Sequence, residues 1–77
     1  NRFFPPAAVR ELAEGVERLC AAAPEDGFTA ATFKNDTGIG RNVAIEVLEF
    51  FDTSGLTRRQ GNVRHLRRPA AAVFGDE

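Results

Sequence analysis

The sequence has one cysteine, Cys20, and one histidine, His65. A single cysteine excludes an intramolecular disulfide and a zinc cluster, and its place on the apolar stripe of a helix points to a structural thiol instead of a reactive one. A lone histidine without nucleophile or metal-ligand companions at useful spacing, and the lack of a glycine-rich phosphate loop with lysine, argue against an enzyme and against a bound cofactor or metal. No apolar run approaches the roughly 20 residues that span a bilayer, and nothing resembles a secretory signal, so the expectation is a cytoplasmic chain away from membranes. The first residue is Asn1, not methionine, which suggests a fragment of a longer protein. Acidic residues are missing altogether from positions 55–68.

What is present is ordinary for a folded domain. With 77 residues, 43% of them apolar and 27% charged, the chain can bury one small core and is too short for two. The net charge of −1 looks unpromising for nucleic acid, but its distribution matters more than its sum. Residues 1–26 hold Arg2, Arg10 and Arg18 against Glu11, Glu14, Glu17, Glu25 and Asp26, whereas residues 55–68 hold Arg58, Arg59, Arg64, Arg67 and Arg68 with no acid. Such a patch on a near-neutral body can bind phosphates locally.

Phe3-Phe4-Pro5-Pro6 reads as a lead-in, with the prolines before a helix or in its first turn. Val9, Leu12, Val16 and Leu19 step at three and four, which predicts a helix over 7–22 with one buried stripe. Gly15 inside it implies either a close backbone contact or simple tolerance. On the solvent side, Arg10 with Glu14 and Glu14 with Arg18 are i,i+4 pairs worth a few tenths of a kcal/mol each. Pro24-Glu25-Asp26-Gly27 breaks the pattern. Thr29 is placed to cap a second helix over 30–36, with Phe28 and Phe33 as its hydrophobic staple. Thr37-Gly38-Ile39-Gly40 ends that helix with Ile39 turned inward, and a third follows directly, burying Ala44, Val47, Leu48 and Phe51. Two helices joined by a few residues with glycine form a helix-turn-helix.

After Ser54-Gly55 the period changes to two. Leu56 to Gln60 and Arg64 to Arg68 flank Gly61-Asn62-Val63, which predicts a β-hairpin. A two-residue turn at Gly61-Asn62 puts Leu56 and Leu66 on opposite faces by strand parity, and a three-residue loop through Val63 puts both inward; the longer loop is favoured on that ground. Pro69 ends the second strand, and residues 70–77 are a short tail in which Val73 and Phe74 either dock or hang free. Helix, helix-turn-helix and hairpin make an α+β winged helix, with residues 1–77 one domain, 1–6 its lead-in and 70–77 its tail.

The start of the third helix combines a glycine turn with helix N–H groups that have no intrahelical partner, and with Arg41 alongside, which is an anion site in outline. Its exposed face carries Glu46 and Glu49, which repel phosphates if the helix lies lengthwise in a duplex groove. The positive features are the helix tip and the hairpin, an arrangement suited to the loop and upper stem of a folded RNA. The candidate RNA contacts are Lys34, Gly38, Gly40, Arg41 and Asn42 near the tip, and Arg58, Arg59, Arg64, His65 and Arg67 on the hairpin, with Arg68 able to extend the patch. Several have a plainer alternative. Lys34 also fits a solvent-exposed helix lysine, the two glycines serve turn geometry in any case, His65 fits a structural role, and inward-facing arginines can pair with Asp52 or Glu49.

At Gly38-Ile39-Gly40-Arg41, Leu48-Glu49-Phe50-Phe51-Asp52 and Thr57-Arg58-Arg59-Gln60-Gly61-Asn62, with Phe33 and Thr37 ahead of them, the sequence resembles the C-terminal end of the bacterial selenocysteine-specific elongation factors. These are translation GTPases with appended winged-helix domains. The resemblance implies a domain that binds the messenger-RNA hairpin recoding UGA as selenocysteine. It also implies upstream domains of the same factor and, indirectly, the ribosome as partners, with any GTPase outside this segment and a monomeric state. Two other readings stand beside it: a DNA-binding regulator domain, and a winged helix used for protein interaction.

Overall fold

Pro5 and Pro6 start the first helix where their missing N–H groups leave no hydrogen bond unmade. In the computed structural model, which describes residues 4–75, α1 runs Pro6–Ala22. Phe3 of the lead-in and Asp76 and Glu77 of the tail lie outside the described residues. Ala13 and Val16 are buried, and Val9, Leu12, Leu19 and Cys20 pack against the core from the same side. Gly15 is buried, but a Cβ there meets its nearest atom, an Arg18 nitrogen, only at 3.4 Å, so the position tolerates glycine without requiring it. Arg18 reaches across to Asp36 at 3.7 Å, tying α1 to the following helix.

Strand β1, Phe28–Thr29, leads into α2, Ala30–Thr37. The Thr29 hydroxyl accepts the Thr32 backbone N–H at 3.2 Å, and the Phe28 and Phe33 rings lie 6.2 Å apart, so both the cap and the staple are formed. Gly38, at φ +76, closes α2 by donating its N–H to the Lys34 carbonyl at 2.8 Å. Ile39 packs against the core, and α3 follows over Arg41–Ser54, burying Ala44, Val47, Leu48 and Phe51.

The hairpin consists of β2, Thr57–Gln60, and β3, Val63–Leu66. Gln60 pairs with Val63, so the connection is the two-residue turn Gly61-Asn62 and not the three-residue loop that parity favoured. Gly61 has φ +64 and Asn62 does not turn positive, the glycine-first pattern of a type II′ turn. Parity misled because Leu56 does not belong to the ladder. It is the second residue past α3 in a Schellman motif: Gly55, at φ +90, donates to Asp52, and Leu56 donates to the Phe51 carbonyl at 3.0 Å. That turn, and not strand alternation, sends Leu56 into the core beside Phe51, while Leu66 packs from β3.

The sheet has three strands in the order β1-β3-β2, with Phe28 opposite Arg64 and Thr29 opposite Val63. A two-residue strand carries no periodicity, and β1 went unanticipated for that reason. The segment read as a tail carries a fourth helix, α4, over Ala70–Phe74. Ala70 is buried and donates its N–H to the Glu17 carboxylate at 2.7 Å, while Val73 and Phe74 pack against the core. Short helices gain their stability from packing, not from propensity, so a five-residue run gives no signal of its own.

Candidate nucleic-acid interface

The tip of α3 is built from residues that cannot crowd it. Gly40 is the N-cap and contributes no side-chain hydrogen bond, so the first-turn N–H groups keep their outward-facing capacity. A Cβ placed at Gly38 or Gly40 meets nothing within 4 Å among the described residues. Gly38, Gly40, Arg41 and Asn42 are all exposed, so a helix N-terminus, a guanidinium and an amide are open to solvent within one short stretch of chain. Lys34 stands apart in character: it is half-buried in the last turn of α2, where an ammonium also complements the negative end of the helix dipole.

Along the exposed side of α3 stand Glu46 and Glu49. Phe50 is there too, 49% exposed and the large apolar side chain most open to water among the described residues.

The basic residues of the hairpin differ sharply in exposure, even between the cross-strand partners Arg59 and Arg64. Arg58, Arg59 and Arg67 are exposed, and the Arg59 Nε donates to the Gly61 carbonyl at 2.8 Å, which holds that guanidinium along the turn. Arg64 is different. Its side chain is only 6% exposed, and it donates from Nε and from a terminal nitrogen to the Asp52 carboxylate, at 3.1 and 2.9 Å. The same carboxylate accepts the buried Thr57 hydroxyl at 2.6 Å. Arg64 is therefore removed from the set of ligand contacts proposed from sequence: strand alternation turns it inward, where a bidentate pair with Asp52 satisfies its charge. A shallow groove of about 570 Å³ runs beside this cluster, lined by Asp52, Thr57, Arg58, Arg59, Leu66 and Arg67.

His65 is half-buried, with Nε2 at 3.3 Å from the Glu25 carbonyl. A carbonyl only accepts, so Nε2 donates there, and Nδ1 is buried with no partner among the described residues. The contact with the α1–β1 connection gives His65 a structural task in place of an open stacking surface. Sequence reasoning placed Asp52 only as an alternative partner for the arginines and assigned Thr57 nothing. A signal for Asp52 existed, since a carboxylate in the last turn of a helix opposes the dipole and demands a cation.

Cys20 is half-buried, and burial pushes its thiol above the ordinary value, partly offset by a backbone hydrogen bond at Leu66. Among the described residues, no group of three or more His, Cys, Asp or Glu side chains is placed to hold a metal ion, and no helix is long and apolar enough to cross a membrane.

Three comparisons bear on this arrangement. Residues 21–66 match the family model described as elongation factor SelB, winged helix. The selenocysteine-specific elongation factor of Escherichia coli (strain K12) is 54% identical over 71 residues, which are 91% of this chain and 11% of that protein. A solved structure of the mRNA-binding domain of elongation factor SelB from E. coli, in complex with SECIS RNA, superposes with a TM-score of 0.78 at 35% identity, covering 84% of this chain and 52% of that one. This chain thus spans a small part of the full-length relative and about half of the solved domain. With the winged-helix fold in place and the family match running from the end of α1 to the end of β3, the chain belongs to the elongation factor SelB winged-helix family.

Proposed function

We propose that this domain binds RNA, docking a selenocysteine-specific translation elongation factor on the messenger-RNA hairpin that directs UGA recoding. The observation that carries this reading is the division of charge on the surface. Helix α3 has its arginine at its first residue and carboxylates along its exposed face, while Arg58 and Arg59 of the hairpin and Arg67 and Arg68 just after it are all exposed. A continuous duplex along α3 meets Glu46 and Glu49, whereas a folded loop touches the tip and the ribbon and avoids them. The E. coli domain that this chain resembles was solved with SECIS RNA, which supports the same ligand class here. In this reading Gly38, Gly40, Arg41, Asn42, Arg58, Arg59 and Arg67 make the contacts, mainly to phosphates, with one or two extruded bases held between them. The domain is non-catalytic, monomeric and cytoplasmic, the GTPase lies in another part of the full-length factor, and the ribosome is engaged only indirectly.

The test is a gel shift comparing the SECIS stem-loop RNA with a DNA duplex of matched stem sequence. Preference for the RNA is expected. Equal or stronger binding to DNA rejects the proposal in favour of a regulator domain.

A further inference from the structure

Asp52 occupies an unfavourable position for a carboxylate. It lies in the last turn of α3, where the free carbonyls concentrate negative potential, and no basic residue of that turn offsets it. The compensation comes from the hairpin: Arg64 from β3 and Thr57 from β2 both bond to the one carboxylate. Replacing such a pair by apolar residues is often neutral or stabilising, so a partly buried ion pair is poor evidence of a stability role. What the cluster does supply is direction. A bidentate guanidinium–carboxylate contact fixes both distance and plane, and a hydroxyl bond from the neighbouring strand adds a third constraint.

The residues so fixed adjoin the exposed arginines. Thr57 directly precedes Arg58, and Arg64 is the cross-strand partner of Arg59. Arg67 follows Leu66, the partner of Thr57, and is held by its own N–H to the Leu56 carbonyl at 2.7 Å. A hairpin is only marginally stable alone, and here β1 and the core residues Leu56 and Leu66 hold it to the body, while the Asp52 cluster adds a directional polar contact from α3 to both of its strands.

We propose that Asp52, acting through Arg64 and Thr57, is a positioning residue that aims the wing arginines at the ligand that the α3 tip also holds. The inference rests on the RNA-binding reading and adds to it a residue that touches no RNA itself.

Two variants are compared with the wild-type domain by fluorescence anisotropy, using labelled SECIS stem-loop RNA across a salt series, with the folded fraction followed by circular dichroism. Asp52→Ala removes the acceptor and leaves Arg64 unpaired. D52L/R64M replaces the pair by apolar side chains and keeps the domain folded should the single variant unfold. Both are expected to bind RNA about tenfold more weakly. The salt slope, d log K/d log[salt], should flatten by roughly 1 to 2, since about two wing phosphate contacts at 0.7–0.9 each are lost. A merely structural role lowers affinity only in step with the folded fraction and leaves the slope untouched. Wild-type affinity and slope in the folded double variant overturn the proposal while the RNA-binding reading survives. Failure of the wild-type domain to bind the RNA at all overturns both.

Discussion

The ring of Phe74 stacks on that of Phe50, with centroids 5.8 Å apart and planes inclined at 29°, and it also meets Phe51 at 5.6 Å. A residue of the terminal helix is thus packed on both an exposed and a buried phenylalanine of α3. Phe74→Ala should destabilise the domain by about 1–3 kcal/mol, from lost apolar burial and ring contacts. Chemical denaturation of the two proteins measures this, and an unchanged midpoint shows that α4 does not contribute to the fold.

The Glu17 carboxylate satisfies the first N–H of α4 across the domain. Glu17→Ala removes the acceptor and should cost about 1 kcal/mol, the usual effect of losing a hydrogen bond at a helix start. Amide hydrogen exchange provides the check, with faster exchange expected at Ala70 than at residues of α2.

Two glycines with nearly the same φ separate space from conformation. Gly27 has φ +75, and a Cβ there falls 2.5 Å from the Arg64 carbonyl oxygen, 2.7 Å from a Val63 methyl and 2.9 Å from His65 Nε2. Gly38 has φ +76 with open space around it. Gly38→Ala should cost about 1–2 kcal/mol, the conformational penalty alone. Gly27→Ala adds a clash with β3 and should cost about 2–5 kcal/mol in all, so its thermal midpoint should be clearly the lower of the two.

Arg41→Glu reverses the charge at the tip without touching the core. RNA affinity should fall by a factor of ten or more, on the scale of a lost charge-assisted hydrogen bond, while stability changes by no more than about 0.5 kcal/mol. Undiminished binding means that the tip is not the site. Across a salt series the wild-type domain should neutralise roughly 3 to 5 phosphates, losing about 0.7–0.9 log units of affinity per phosphate for each log unit of salt. A salt-independent affinity points instead to a protein-interaction module.

Burial raises the Cys20 thiol above its ordinary value of 9.0. A raised value in the folded state means that the unfolded chain releases its proton first. The thiol's contribution to stability is complete below the ordinary value and is lost as pH rises through the folded one. Cys20→Ala should remove this alkaline component, as shown by the pH dependence of the denaturation midpoint.

The sequence disclosed most where a pattern had length or a distinctive cap. The α1 stripe, the Thr29 cap with its Phe28–Phe33 staple, and the inward residues of α3 were legible because helical spacing and capping chemistry are local. The ribbon turn was misjudged because Leu56 obeys the end of a helix and not the period of a strand. β1 and α4 are too short to show periodicity, and both exist through partners distant in the chain. Of the candidate contacts, Gly38, Gly40, Arg41, Asn42, Arg58, Arg59 and Arg67 stand open on the surface, whereas Lys34 is half-buried, Arg64 is withdrawn into the Asp52 pair and His65 is bonded to Glu25. Arg64 shares its face with Leu66 two residues on, so its inward turn was legible from the strand period, whereas the faces of Arg58 and Arg59 depend on a register that the favoured longer loop got wrong.

Thr29 pairs with Val63 in the sheet and also caps α2 with its hydroxyl. The ribbon is therefore not a free antenna. Its central strand is joined through Thr29 to the root of α2, the helix whose closing glycine, Gly38, opens the turn into α3, so ribbon and turn hang on one short continuous run of chain.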